Sequence, residues 1–175
     1  EAGELTLNPE TFELAKLLQS LKDLLKLKAR SKGLKLEVVP AANLPDYIFT
    51  DQGKLRQVLL NLLGNGIKFT ETGYVRLHVS LAGNAQTTTY SQNTTALTFV
   101  VEDTGVGIAP DEMEALFKPF QQTQAGLSSG QGTGLGIALS QQYIQLLGGE
   151  LKVESRPGQG SRFSFTIQAE RAVSP

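Results

Sequence analysis

Apolar residues recur at helical spacing along three stretches of the chain and at every second position along several others. Phe12, Leu14, Leu17, Leu18, Leu21, Leu24 and Leu25 trace one face of an amphipathic helix that Gly33 ends. Asn8 followed by Pro9 has the form of its N-cap and first helical residue. "LKLEVV" alternates apolar and charged residues as a half-buried strand does, and "YIFT" reads as a short second strand. Asp51 is placed to cap a second helix, whose stripe is Leu55, Val58, Leu59, Leu62 and Leu63. "GYVRLHVSLA" and "ALTFVVED" alternate with period two and predict paired strands, joined by the long polar loop "GNAQTTTYSQNTT". Pro110 is expected to open a short helix, "PDEMEALF". Residues 121–131, "QQTQAGLSSGQ", have no periodicity and are expected to be mobile unless a ligand orders them. A third helix is predicted from Gly136 to Leu147, stopped by Gly148 and Gly149, and two last strands, "ELKVES" and "SRFSFTI", flank the turn "RPGQG". The elements add up to an α/β (α+β) two-layer sandwich, a mixed and mostly antiparallel sheet with one face packed on helices.

Three polar features interrupt this pattern. On the second helix Asn61, Asn65 and Lys68 form an edge apart from the apolar stripe. A wet helix face normally carries lysine or glutamate, which cost less helix propensity than asparagine. Either asparagine alone reads equally well as a partner for a nearby loop; together they also read as carboxamide oxygens offered to Mg²⁺, with Lys68 beside the same phosphates. In "VVEDTGVGIAP" a strand delivers Asp103 directly before Gly105 and Gly107. This is either an aspartate opening a turn or a carboxylate accepting from the exocyclic amine of a flat ring such as adenine. In "GQGTGLGIALS" Gly132, Gly134 and Gly136 precede a helix, where free N–H groups and the helix dipole make an anion site, though the same glycines fit a plain turn. The spacing is neither a Rossmann fingerprint nor a P-loop.

Composition narrows the chemistry. With 175 residues and no compositional break the chain reads as a single domain, residues 1–175. Its 16 basic and 17 acidic residues nearly cancel, which leaves no electrostatic case for nucleic acid. With no cysteine and one histidine, disulfides, thiolate chemistry and multi-histidine zinc sites are excluded, whereas a hard cation held by oxygen is not. No apolar run approaches the roughly 20 residues of a membrane helix, and the opening residues lack the basic and apolar regions of a signal peptide. The expectation is a soluble, cytoplasmic domain with no direct membrane contact, cut from the middle of a longer protein.

In the order "NLLGNGIKFT", "DTGVGI", "LFKPFQQ" and "GTGLGIALS", the chain resembles the N, G1, F and G2 boxes of the ATP-binding catalytic domain of sensor histidine kinases. That domain belongs to the wider ATPase superfamily of gyrase B, the Hsp90 chaperones and MutL. The resemblance implies a Bergerat-type ATP-binding fold, with ATP and Mg²⁺ as cofactors. It implies Asn65 as the metal ligand, and Asn61 and Lys68 beside it at the triphosphate as the catalytic set. Asp103 would select adenine, with Phe69, Gly105, Gly107 and Ile108 around the base. Gly132, Thr133, Gly134, Leu135 and Gly136 would contact phosphate, and Phe120 and Thr166 would complete the nucleotide-binding set. Phe117 and Phe120 fit the F box that borders the family's lid, or simply pack in the core. Gly66 stands where alanine is commoner and should weaken the helix by up to about 1 kcal/mol.

The implied activity is transfer of the γ-phosphoryl group of ATP to a histidine on a separate dimerisation and phosphoacceptor domain, of the same or a partner kinase, with a response regulator downstream. The one histidine here, His78, sits in a predicted strand and reads as structural. Residues 1–8 resemble the end of a linker from the missing hairpin, so the isolated domain should bind ATP but transfer slowly or not at all. The alternatives are an ATPase of the superfamily's hydrolytic branch, a non-catalytic nucleotide-binding interaction module, and a serine/threonine-directed kinase of the anti-sigma type. The hydrolytic branch places a glutamate general base where this chain has Asn61, which favours the kinase.

Overall fold

A computed structural model describes residues 6–82, 94–117 and 136–175 of the chain. Strand β1 (Glu10–Glu13) leads into helix α1 (Leu14–Ser31); β2 (Lys35–Pro40) and β3 (Tyr47–Thr50) precede helix α2 (Gln52–Phe69). Then come β4 (Tyr74–Leu81), β5 (Thr94–Asp103), helix α3 (Gly136–Leu146), β6 (Lys152–Arg156) and β7 (Gly160–Ala172). The seven strands form one sheet in the order β1-β3-β7-β5-β4-β2, with β6 also paired to β7. β2 runs parallel to β4 and the other described pairings are antiparallel.

Period-two alternation sorts β4, β5 and β7 into two faces. Val75, Leu77, Val79, Leu97, Phe99, Val101, Phe165 and Ile167 point to the helices and are buried. Phe99 and Phe165, opposite one another in register, stack with ring centroids 5.2 Å apart. The helices answer with the stripes read from the sequence, Leu14, Leu17 and Leu21 on α1 and Leu55, Leu59 and Leu62 on α2, all at most 2 % exposed. Each such leucine contributes about 1.5–3 kcal/mol of transfer free energy. Helix α2 continues unbroken through Gly66. Among the described residues no helix is long and apolar enough to cross a membrane.

Three local expectations are corrected. The first helix does not start at Asn8 and Pro9; residues Glu10–Glu13 pair antiparallel with Tyr47–Thr50, and the helix begins at Leu14. The backbone N–H of Asn8 instead donates to Asp51 Oδ2 at 2.8 Å, and strand pairing buries Phe12. Long-range pairing outweighs a local cap signal there. "PDEMEALF" forms two 3₁₀ turns, Pro110–Glu112 and Glu114–Phe117, in place of one helix. β5 starts at Thr94, taking in the last two threonines of the expected loop. The rest of that loop and residues 121–131 lie outside the described residues.

Candidate functional site

Helix α2 is capped at its N-terminus by the adjacent Asp51 and at its C-terminal end by Lys32, distant in sequence. At its N-terminus Asp51 accepts from the Lys54 N–H at 3.0 Å, from the Lys54 ammonium at 3.0 Å and from Asn8. Burial pushes the Asp51 carboxyl up, but the backbone N–H groups of Asn8 and Lys54, with the Lys54 ammonium, outweigh it and hold the group below the ordinary aspartate value. Lys54 also lies 5.6 Å from the centroid of the Tyr143 ring on α3. At the other end the Lys32 ammonium donates to the carbonyls of Ile67 and Lys68 at 2.8 and 3.0 Å, a cation on the negative end of the helix.

This mounting aims the last two turns of α2 at the C-terminal end of β5. Asp103 ends β5 on its inward face, 8 % exposed, and accepts from the Gly105 N–H at 2.8 Å. Burial is the main reason its carboxyl is raised above the ordinary value; the N–H groups of Gly105 and Ser161 and the Thr70 hydroxyl oppose the rise, and neighbouring Glu102 adds to it. No cation pairs with Asp103 among the described residues. The Thr70 hydroxyl is fully buried beside it, near enough to favour the ionised form yet without a hydrogen bond of its own. Gly107 has φ 75°, and a Cβ there would overlap the Arg156 carbonyl. Glycine is therefore required at 107 by the adjoining turn, whatever the loop binds.

A cavity of about 60 Å³ opens at this point, lined by Asn65, Gly66, Phe69, Asp103, Gly107, Ile108 and Ile137 among others. It takes the edge of a planar ring and not a whole nucleotide; one larger hollow shares Asp103 and Ser161 with it and another lies along α1 and β2, but among the described residues neither takes in Asn65, Phe69 or Ile108. Asn65 lines the cavity, with no side-chain hydrogen bond among the described residues. Asn61, one turn earlier, is engaged: its Nδ2 donates to Ser140 Oγ on α3 at 2.8 Å. Its carboxamide also lies against Gly136, where an added Cβ would stand 2.5 Å from Asn61 Oδ1. The first residue of α3 thus abuts the asparagine edge of α2. Lys68 does not line the cavity; its ammonium sits 5.0 Å from the Phe69 ring centroid, and burial lowers its pKa.

Of the expected site residues, Asn65, Phe69, Asp103, Gly107 and Ile108 meet at one cavity, with Gly105 in the loop that caps Asp103 and Asn61 and Gly136 at its flank. Phe120, Gly132, Thr133, Gly134 and Leu135 lie outside the described residues. Phe117 packs against the core cluster. Thr166 is a correction: it sits on the opposite face of the sheet, its hydroxyl 2.8 Å from that of Thr98. Strand parity is the reason, since Phe165 and Ile167 take the inward positions. The same parity brings in a residue the motifs did not flag. Ser161, in phase with Phe163 and Phe165 in "SRFSFTI", is inward, buried and part of the cavity wall. His78 stands between Val39 and Val100 in the strand register.

Known proteins resemble this chain in sequence and in fold. The hybrid signal transduction protein dokA of Dictyostelium discoideum is 37 % identical over 174 residues, covering 96 % of this chain and 10 % of that protein. The aerobic respiration control sensor protein ArcB of Escherichia coli (strain K12) is 34 % identical over 171 residues, 97 % of this chain and 21 % of its own length. The chain thus spans a minor part of these relatives. Full-length ShkA in complex with AMPPNP superposes with a TM-score of 0.77 at 34 % identity, over 100 % of this chain and 34 % of that one. The catalytic domain of the histidine kinase ThkA, at 23 % identity, shares the fold with a TM-score of 0.68 over 94 % of this chain and 98 % of its own. A family model matches residues 50–171, the stretch that carries α2, Asp103 and α3. This chain belongs to the histidine kinase-, DNA gyrase B- and HSP90-like ATPases.

Proposed function

We propose that the chain binds Mg-ATP between α2 and the start of α3 and passes the γ-phosphoryl group to a histidine on a separate dimerisation and phosphoacceptor domain, from which a response regulator takes it. The observation that carries this reading is the contact of Asn61 with Gly136 and Ser140. It sets the asparagine edge of one helix against the N-terminal end of another, where N–H groups and the helix dipole favour polyanions.

The residues present fit a divalent ion that arrives with its nucleotide. Asn65 offers one hard oxygen not used elsewhere among the described residues, and Mg²⁺ characteristically takes one or two protein ligands plus phosphate and water. Among the described residues no three His, Cys, Asp or Glu side chains cluster to hold a metal by themselves. When bound, the ion neutralises charge on the phosphates. Asp103 accepts the adenine amine, and its lack of a cationic partner among the described residues leaves that acceptor open to the base. Lys68 adds charge from the same helix. In the transfer, a ring nitrogen of the acceptor histidine forms a bond to the γ-phosphorus while the bond to the β–γ bridging oxygen breaks, and ADP leaves with that electron pair. Where a hydrolytic enzyme needs a carboxylate to activate water, this chain has Asn61, occupied with Ser140.

The test is transfer of label from γ-labelled ATP to a supplied phosphoacceptor hairpin domain, with the acid-labile, base-stable product expected of phosphohistidine. Asn65→Asp should abolish transfer, because it changes charge and geometry where the ion would sit. Full transfer by that variant, or a product stable to acid, would overturn the assignment.

A further inference from the structure

Away from the nucleotide cavity, a groove of about 360 Å³ runs between α1 and the outer edge of β2. Its floor is apolar, from Leu14, Ala15 and Leu18 on α1, Val38 on β2 and Leu44 in the β2–β3 connection. β2 is the last strand of the sheet on this side, and among the described residues nothing pairs with its far edge. The N–H groups of Lys35 and Ala41 donate to Gly73 and Val79, on the β4 side. Alternation therefore turns the N–H and C=O of Leu36 and Val38, and the C=O of Pro40, outward. Pro40 fits this phase, since its nitrogen faces away from β4 and no ladder bond is lost.

Two charges line the groove without an ion pair among the described residues, Asp46 and Lys22; Glu13, also in the wall, is held by Lys16 at 3.1 Å. Asp46 lies at the Leu14 end, its carbonyl accepting from the Leu14 N–H at 3.0 Å. Lys22 is eight residues farther along the helix, about 12 Å away at 1.5 Å per residue. An extended chain covers that distance in about four residues, and residues four apart on a strand share a face.

We propose that the free edge of β2 and the adjoining face of α1 dock an extended segment of another polypeptide. Its facing side chains are basic, apolar and acidic at alternate positions, the basic one over Asp46 and the acidic one at Lys22. The segment adds antiparallel to β2, the more stable pairing, so its basic residue comes first in sequence, at the Pro40 end. Backbone bonds to Leu36 and Val38 supply affinity; the two charges set direction. This docking is independent of the nucleotide reading and stands or falls separately.

The probes are two end-blocked peptides, TKTVTET and its charge-reversed twin TETVTKT, added at millimolar concentration to the chain while amide exchange is followed residue by residue. TKTVTET should slow exchange at Leu36 and Val38 by about tenfold and bind more tightly than its twin. Val38→Pro, which removes an outward N–H that β4 does not use, should abolish that protection. Lys22→Glu, on the exposed helix face, makes both groove charges acidic, so each peptide then meets one opposite and one like charge; it should erase the preference between the peptides, and it covers the case in which the proline variant fails to fold. For the unaltered chain, equal binding of both peptides, preference for TETVTKT, or no protection at Leu36 and Val38 would each overturn the proposal.

Discussion

Glu102 and Asp103 are neighbours on β5 and meet opposite surroundings. Glu102 points to the outer face, where register sets Glu37, Arg76, Glu102, Arg162 and Glu154 side by side across five strands in alternating sign. Arg76 lies 3.2 Å from Glu37 and 3.5 Å from Glu102, Arg162 lies 3.9 Å from Glu102, and the Tyr74 hydroxyl donates to Glu102 at 3.1 Å. Asp103 points inward, buried, with N–H donors and, among the described residues, no cation. One carboxylate is neutralised by its sheet neighbours; the other is left for something the fold itself does not supply. A buried acid raised in this way is a weak stabiliser of the fold and a strong candidate for ligand recognition.

Removing the two charges in turn tests that contrast. Asp103→Asn should weaken ATP binding by about 1.5–3 kcal/mol, about ten- to a hundredfold, since it exchanges a charged acceptor for a neutral amide. Its melting temperature should hold or rise. Because the folded pKa of Asp103 is raised, its contribution to stability is full below the unfolded value and is lost as pH rises through the folded one. Unchanged affinity, measured by calorimetry, with an intact fold would break the assignment.

Asp51 is the inward carboxylate that the fold does compensate, and Asp51→Ala should cost about 1–2 kcal/mol of stability in denaturant titrations. Its sign is the reverse. With the folded pKa depressed, the stabilisation is present above the unfolded value and disappears as pH falls through the folded one. The gap between this variant and the unaltered chain should therefore close in acid, while that for Asp103→Asn should close there from the other side.

Thr70→Val removes a buried hydroxyl that makes no hydrogen bond among the described residues, so it should leave the fold as stable or raise it by about 1 kcal/mol. A loss of that size would mean the hydroxyl is satisfied in solution. The smallest effect belongs to Glu102→Gln, within about 1 kcal/mol, because its pairs sit at the solvent boundary and are screened. A loss larger than that for Asp51→Ala would make the outer charge row a structural element in its own right.

Much of this was legible in the chain. The stripes of α1 and α2 and the alternation of β4, β5 and β7 follow from where apolar residues stand relative to periods of 3.6 and 2, so the layers and their buried faces could be drawn beforehand. The boxes around Asn65 and Asp103 were likewise visible, since each is a run of contiguous residues. Less visible was anything whose cause lies across the sheet. Asn8 and Pro9 looked like a helix start until β3 offered a strand edge and Asp51 an acceptor. Thr166 looked like a ligand contact although one step of strand parity turns it outward and Ser161 inward.

Local periodicity and motif spacing are properties of a few successive residues, which is why the sequence by itself determined the three main helices, all the strands but β1, and the chemistry on offer. Which carboxylate is buried without a cation, which asparagine is tied to Ser140 and which is open to the cavity, and which strand edge is left unpaired depend on partners tens of residues away. Only the tertiary structure decided those, because desolvation and hydrogen bonding act between groups that meet in space, whatever their separation along the chain.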